Sequence, residues 1–173
     1  MKKILIIGAI LLAICISISA VSADDSWSFN FSSSESSNSE GGAFSLNTVN
    51  NLLQIQGLNY TIPEEYKENE SFRAVGEDGN LSSLPENSKI TCAEFINGND
   101  SIIIKTFFHD QPFDEDGYTP AKNAVKKEIA DQEGWLEEYE DGVTFDFVED
   151  GKIVEIFAPD EKVLETILKS TDD

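Results

Sequence analysis

The sequence predicts an α+β fold: a mostly antiparallel β-sheet of five to seven strands with one or two short helices packed on it, including a C-terminal helix. Three observations carry this. Residues 133–169 read as three antiparallel strands, alternating apolar and polar side chains around two Gly-containing turns, followed by a short amphipathic helix. Residues 101–108 contain the β-branched run Ile102-Ile103-Ile104, the mark of a central strand covered on both faces. Val163, Leu164, Ile167 and Leu168 recur at the spacing of one helical face, so a closing helix should lie on the sheet.

Taken in order, the chain opens Met1-Lys2-Lys3, continues in an uncharged run, and reaches Val21-Ser22-Ala23. A basic start, an apolar middle and small residues at −3 and −1 describe a signal peptide over residues 1–23. An uncleaved anchor is the competing reading, because about 20 apolar residues can span a bilayer. Residues 24–43 form a Ser-rich stretch too polar to bury a core, expected to be a disordered linker. Its Trp27, Phe29 and Phe31 alternate with polar residues, which suits an added edge strand or a partner contact. A single domain is expected over residues 44–173.

Within it, Leu53 and Ile55, then Leu58, Tyr60 and Ile62, flank Gln56-Gly57 and predict a first hairpin. Residues 64–84 are polar and turn-rich. Residues 88–95 and 101–108 are the next two strands, bridged by Asn97-Gly98-Asn99-Asp100. Thr119 suits an N-cap with Pro120 at the first helical position, predicting a short helix to Lys126 with Ala121 and Val125 inward. Residues 127–130 look extended, although a longer helix through Asp131 competes.

The closing hairpin has a countable register. A two-residue Asp150-Gly151 turn pairs Glu149 with Lys152, Phe147 with Val154, Phe145 with Ile156 and Val143 with Ala158, one apolar face. The other face sets Asp146 opposite Glu155, and two facing acids imply a wet surface. A three-residue loop at Glu140-Asp141-Gly142 would carry Trp135 and Tyr139 to the core side and leave Glu137 beside Phe145, a misfit. Pro159 suits the first turn of the closing helix, with Asp160 and Glu161 near its positive end and Glu165 paired to Lys169.

The strings GLNYTIPEEYKENES, NGNDSIIIKT and EGWLEEYEDGVTFDFVEDGKIVEIFAPDEKVLETIL resemble a group of small secreted proteins of methanogenic archaea. That group combines a signal peptide, a G-x-x-F/Y-x-I-P-x-x-Y hairpin, an N-G hairpin and an F-x-Y/F-x-x-D-G-K-x-V hairpin with a helix. The resemblance covers residues 52–169 and implies a fold, but no activity and no functional residues. The layout is more loosely similar to PsbP-like domains.

Charge narrows the partners. The chain has 12 basic and 33 acidic residues, net −21; without Lys2 and Lys3 the balance is −23. Such a chain repels nucleic acid and anionic lipid, so neither is an expected partner, and a membrane would be met only through an uncleaved N-terminal segment. Beyond residue 23 only Cys92 remains, which excludes an internal disulfide framework. Inside a strand, a cysteine reads first as a small buried hydrophobe.

The sequence therefore predicts a secreted or cell-surface non-catalytic domain, an envelope or interaction module with no cofactor. One alternative is a small hydrolase-like enzyme using Cys92 and His109, the single histidine. Another is a calcium-stabilised surface protein, with Asp110, Asp114 and Asp116 supplying hard oxygen ligands in the densest acidic loop. Asn30, Asn69, Asn80 and Asn99 each open an N-x-S/T sequon and are candidate glycan acceptors on an exported chain. Asn59 opens a fifth, expected to be the least accessible because it lies within a strand.

Overall fold

Four hairpins of the chain close on two consecutive left-handed residues: Asn50-Asn51, Gln56-Gly57, Ala130-Asp131 and Asp150-Gly151. Such turns twist in the same sense as the strands they join, so each fixes a tight antiparallel pair. The fold is that of a computed structural model and is described for residues 44–79 and 84–169. The signal-peptide and linker segments, with Asn30 and Asn80, lie outside the described residues.

The strands are β1 (Leu46–Val49), β2 (Leu52–Ile55), β3 (Leu58–Thr61), β4 (Lys67–Glu68), β5 (Ala74–Asp78), β6 (Lys89–Asn97), β7 (Asp100–Phe108), β8 (Val125–Ile129), β9 (Gln132–Glu138), β10 (Val143–Glu149) and β11 (Lys152–Ala158), followed by helix α1 (Glu161–Leu168). The first three form a small antiparallel sheet; the other eight form a second in the order β4-β6-β7-β11-β10-β9-β8, with β5 also paired to β6. Antiparallel sheet with a C-terminal helix is as expected, but eleven strands exceed the expected five to seven. The additional ones are short or broken: β1 has four residues, β4 has two, and the register of β5 shifts between Ala74 and Glu77.

One core fills the space between the inner face of the large sheet, the small sheet and α1. Leu53, Ile55 and Tyr60 from the small sheet meet Phe95, Ile104, Phe145, Phe147, Ile156 and the helix residues Leu164 and Ile167. The closing hairpin has the register counted from its turn, from Glu149↔Lys152 through Phe145↔Ile156 to Val143↔Ala158. β7 is central between β6 and β11, and Ile102, Ile103 and Ile104 are all buried. Helix α1 buries Leu164, Ile167 and Leu168, and Lys169 pairs with Glu165 at 2.6 Å. Asp160, not Pro159, marks its start: the Asp160 carboxylate accepts a hydrogen bond from the Val163 amide at 2.8 Å, leaving Pro159 just outside the helix.

Three further expectations are corrected. Residues 119–126 form no helix: a single turn closes with Ala124 N–H donating to the Ala121 carbonyl at 3.0 Å. Ala121 and Val125 are exposed, and the chain gains a full ladder by pairing β8 to β9 instead. Second, β9 is shifted by one residue against β10, with Glu138↔Val143, Leu136↔Phe145 and Trp135↔Asp146. The loop spans Tyr139 to Gly142, closed by Tyr139 N–H to the Gly142 carbonyl at 2.8 Å, and the slip removes the misfit by putting Leu136 in the core and Glu137 on the other face. Third, Asn59 is exposed, because strand alternation turns it outward between buried Leu58 and Tyr60.

Candidate functional site

The outer face of the large sheet carries one continuous cross-strand row. Cys92 on β6 stands beside Lys105 on β7, then Glu155 on β11, Asp146 on β10, Trp135 on β9 and Lys126 on β8. The sequence puts Asp146 opposite Glu155 as expected, but the face is not wet. Residues 109–124 run across it as a cover. That cover is pinned where the Phe113 amide donates to the Gly151 carbonyl at 2.9 Å. Gly151 has φ +70°, and a Cβ there would lie 2.6 Å from the Pro112 ring; the turn and the cover both require glycine.

Under the cover, Phe107, Ile153 and Ile90 form a second apolar cluster, with Phe113 and Tyr118 packed on it from above. Beside them Lys105 is only 6% exposed and its ammonium meets the Glu155 carboxylate at 2.5 Å. A lysine so deep needs such a partner, since an unpaired buried charge costs several kcal/mol. The Tyr118 hydroxyl donates to Asp146 Oδ2 at 2.8 Å, while its ring packs on Trp135 with centroids 4.9 Å apart. Asp146 Oδ1 is buried and has no hydrogen-bond partner among the described residues.

Burial, with Glu155 adjacent, pushes the Asp146 carboxyl up to about 7; the Tyr118 hydrogen bond and Lys105 oppose this, and Glu137 adds to it. The same surroundings push the Tyr118 phenol upward, first by burial and then by Asp146, so it remains a donor. The carboxyl thus exchanges its proton near neutrality. These side chains border an open cleft of about 590 Å³ whose lining includes Phe107, Phe113, Tyr118, Asp146, Ile153 and Glu155, with His109 and Asp114 also lining it.

The sequence-predicted residues fall differently. Cys92 is fully buried, its thiol 3.7 Å from the Phe72 carbonyl. His109 lies four positions beyond Lys105, the cross-strand partner of Cys92, about 13 Å along an extended chain at the usual rise. His109 uses both ring nitrogens on backbone: Nδ1 accepts from the Gln111 amide at 3.1 Å, and Nε2 lies 3.2 Å from the Glu86 carbonyl. Cysteine and histidine are not brought together. Asp110, Asp114 and Asp116 are exposed along the cover, and Asp114 Oδ1 accepts from the Asp116 amide at 3.1 Å. Among the described residues no group of three or more His, Cys, Asp or Glu is arranged to hold a metal ion. Asn99 is exposed at the β6–β7 turn, whereas the Asn69 amide donates to Glu94 at 2.6 Å.

Lys105, Tyr118 and Trp135 escape a reading of the sequence as site residues. A signal existed: Lys105 is the one charge among residues 101–108, and the closing register already isolates Asp146 with Glu155. What no local pattern shows is that residues 109–124 fold back over them. Among the described residues, no helix is long and apolar enough to cross a membrane. No protein-family model, no curated protein and no solved structure matches this chain.

Proposed function

We propose that this chain is a non-catalytic interaction module, exported to the cell surface or beyond, whose recognition surface is the cleft beneath residues 109–124. The observation that carries the reading is the unpaired Asp146 Oδ1 in a cleft with an apolar floor. A buried acceptor without a donor costs about 1–3 kcal/mol. A partner group that enters the cleft and reaches this oxygen would remove that cost, which supports reading the cleft as a receptor site. The separate engagements of Cys92 and His109 favour binding over nucleophilic chemistry. The order of basic, apolar and small residues over residues 1–23 supports export.

A screen of mixed small polar and aromatic compounds against the isotope-labelled protein tests the reading. Amide shift changes should cluster at Phe107, Phe113, Tyr118 and Asp146. Changes confined to other surfaces, or chemical conversion of a compound by the protein, would overturn it.

A further inference from the structure

Resting on the reading of the cleft as a binding site, we propose that its ligand is a small organic cation: a protonated primary amine on an apolar or aromatic body, with the ammonium against Asp146. Geometry comes first. Oδ2 of Asp146 accepts from the Tyr118 hydroxyl at 2.8 Å, Oδ1 is buried with no hydrogen-bond partner among the described residues, and Asp146 and Glu155 both line the cleft. An ammonium brings donors to that oxygen and needs no acceptor of its own.

Charge comes second. The row beneath the cleft holds two adjacent acids, Glu155 and Asp146, and one paired lysine, Lys105. One further positive charge completes the pairing. A neutral hydroxyl would satisfy Oδ1 but leave the second acid uncompensated, and an anion would enter against the field. The floor comes third. Phe107 and Ile153 lie beside the carboxyl, with Phe113 above, surface that a hydrated metal ion would leave unused and an amine's hydrocarbon body would cover.

Binding also has a proton cost. Asp146 faces Glu155 and Lys105 from β11 and β7, Glu137 and Tyr139 from the β9 side, and Tyr118 from the cover, and the cleft is further lined by His109 and Asp114. Free, this carboxyl holds its proton up to about pH 7; an incoming ammonium takes that proton's place, and the proton leaves to solvent. Affinity therefore rises with pH through neutrality.

The test is titration of the full chain with 2-phenylethylamine, followed by amide shifts at pH 6 and pH 8, beside 2-phenylethanol and calcium chloride. The amine should saturate the cleft at millimolar concentration and bind about tenfold more tightly at pH 8, since the ionised fraction of a group titrating near 7 changes about tenfold across that range. A His109→Gln variant should keep that dependence. Asp146→Asn should weaken the amine at least about tenfold and abolish the pH dependence. Tyr118→Phe removes a hydrogen bond that holds the Asp146 carboxyl down, so the rise of affinity with pH should move to higher pH; an unmoved profile would overturn the proposal, and this variant serves if Asp146→Asn does not fold. Equal affinity for amine and alcohol would overturn the cationic ligand and leave the binding site standing. Binding of neither would remove both readings. Displacement of the amine by calcium would assign the carboxylates to a metal instead.

Discussion

Asp146 and its neighbour Phe145 sit one residue apart on opposite faces of β10, and their substitutions should behave differently. Phe145 is fully buried opposite Ile156, so Phe145→Ala should cost about 3–5 kcal/mol in denaturant melts. Asp146→Asn should depend on pH. The folded carboxyl titrates near 7, above its ordinary range, so between pH 4 and 7 the native state holds a proton that the unfolded chain has lost. Stability attributable to this group falls as pH rises through that window and is flat above it. From pH 5 to pH 8 the wild type should lose a few kcal/mol more than Asp146→Asn, which carries no such proton. Parallel losses in the two proteins would mean that the carboxyl is already ionised at pH 5. The facing pair of acids could be read from the sequence because the Asp150-Gly151 turn fixes their register. Their burial could not, since it comes from Pro112, Phe113 and Tyr118, more than 25 residues earlier in the chain.

Elements differed in how openly the sequence declared them. β10, β11 and α1 each pair a local turn or cap signal with the right hydrophobic period, and all three form as expected. β9 kept its strand pattern but slipped by one residue, because a Gly-ended loop closes as three or four residues at little difference in energy and only the fit of Leu136 decides. Gly134 fits the same register: a Cβ there would stand 2.6 Å from the Asp146 carbonyl and from the Phe145 ring. Gly134→Ala should therefore lower the melting temperature, and an unchanged melting temperature would argue against this register. The segment after Thr119 had helix signals but no apolar surface to pack on, and pairing with β9 prevailed. At the other end, Asp160→Ala should cost about 1 kcal/mol by removing the cap on Val163. A fall in helical circular dichroism should accompany that loss.

The whole molecule carries a net charge of −21, and ion pairs such as Arg73–Glu68, Lys89–Asp78 and Lys127–Glu161 offset only part of the repulsion. Screening should therefore stabilise it. The melting temperature should climb between 10 mM and 500 mM sodium chloride, most steeply at the low end, where the screening length shortens from roughly 30 Å. A temperature that falls with salt would mean that the few ion pairs outweigh the excess of acids.

The strand at the centre of the large sheet is the last of the described strands in chain order. β11 lies between β7 and β10, so among the described strands the ladder that joins the β6–β7 hairpin to the run from β8 to β10 passes through Lys152–Ala158. Until that segment has been synthesised, β7 presents Ile102–Ile104 along an unpaired edge, and no earlier fragment can close the core. Order of synthesis thus runs against order of assembly. Cutting the chain at Asp150 removes the strand through which the two parts of the sheet are paired.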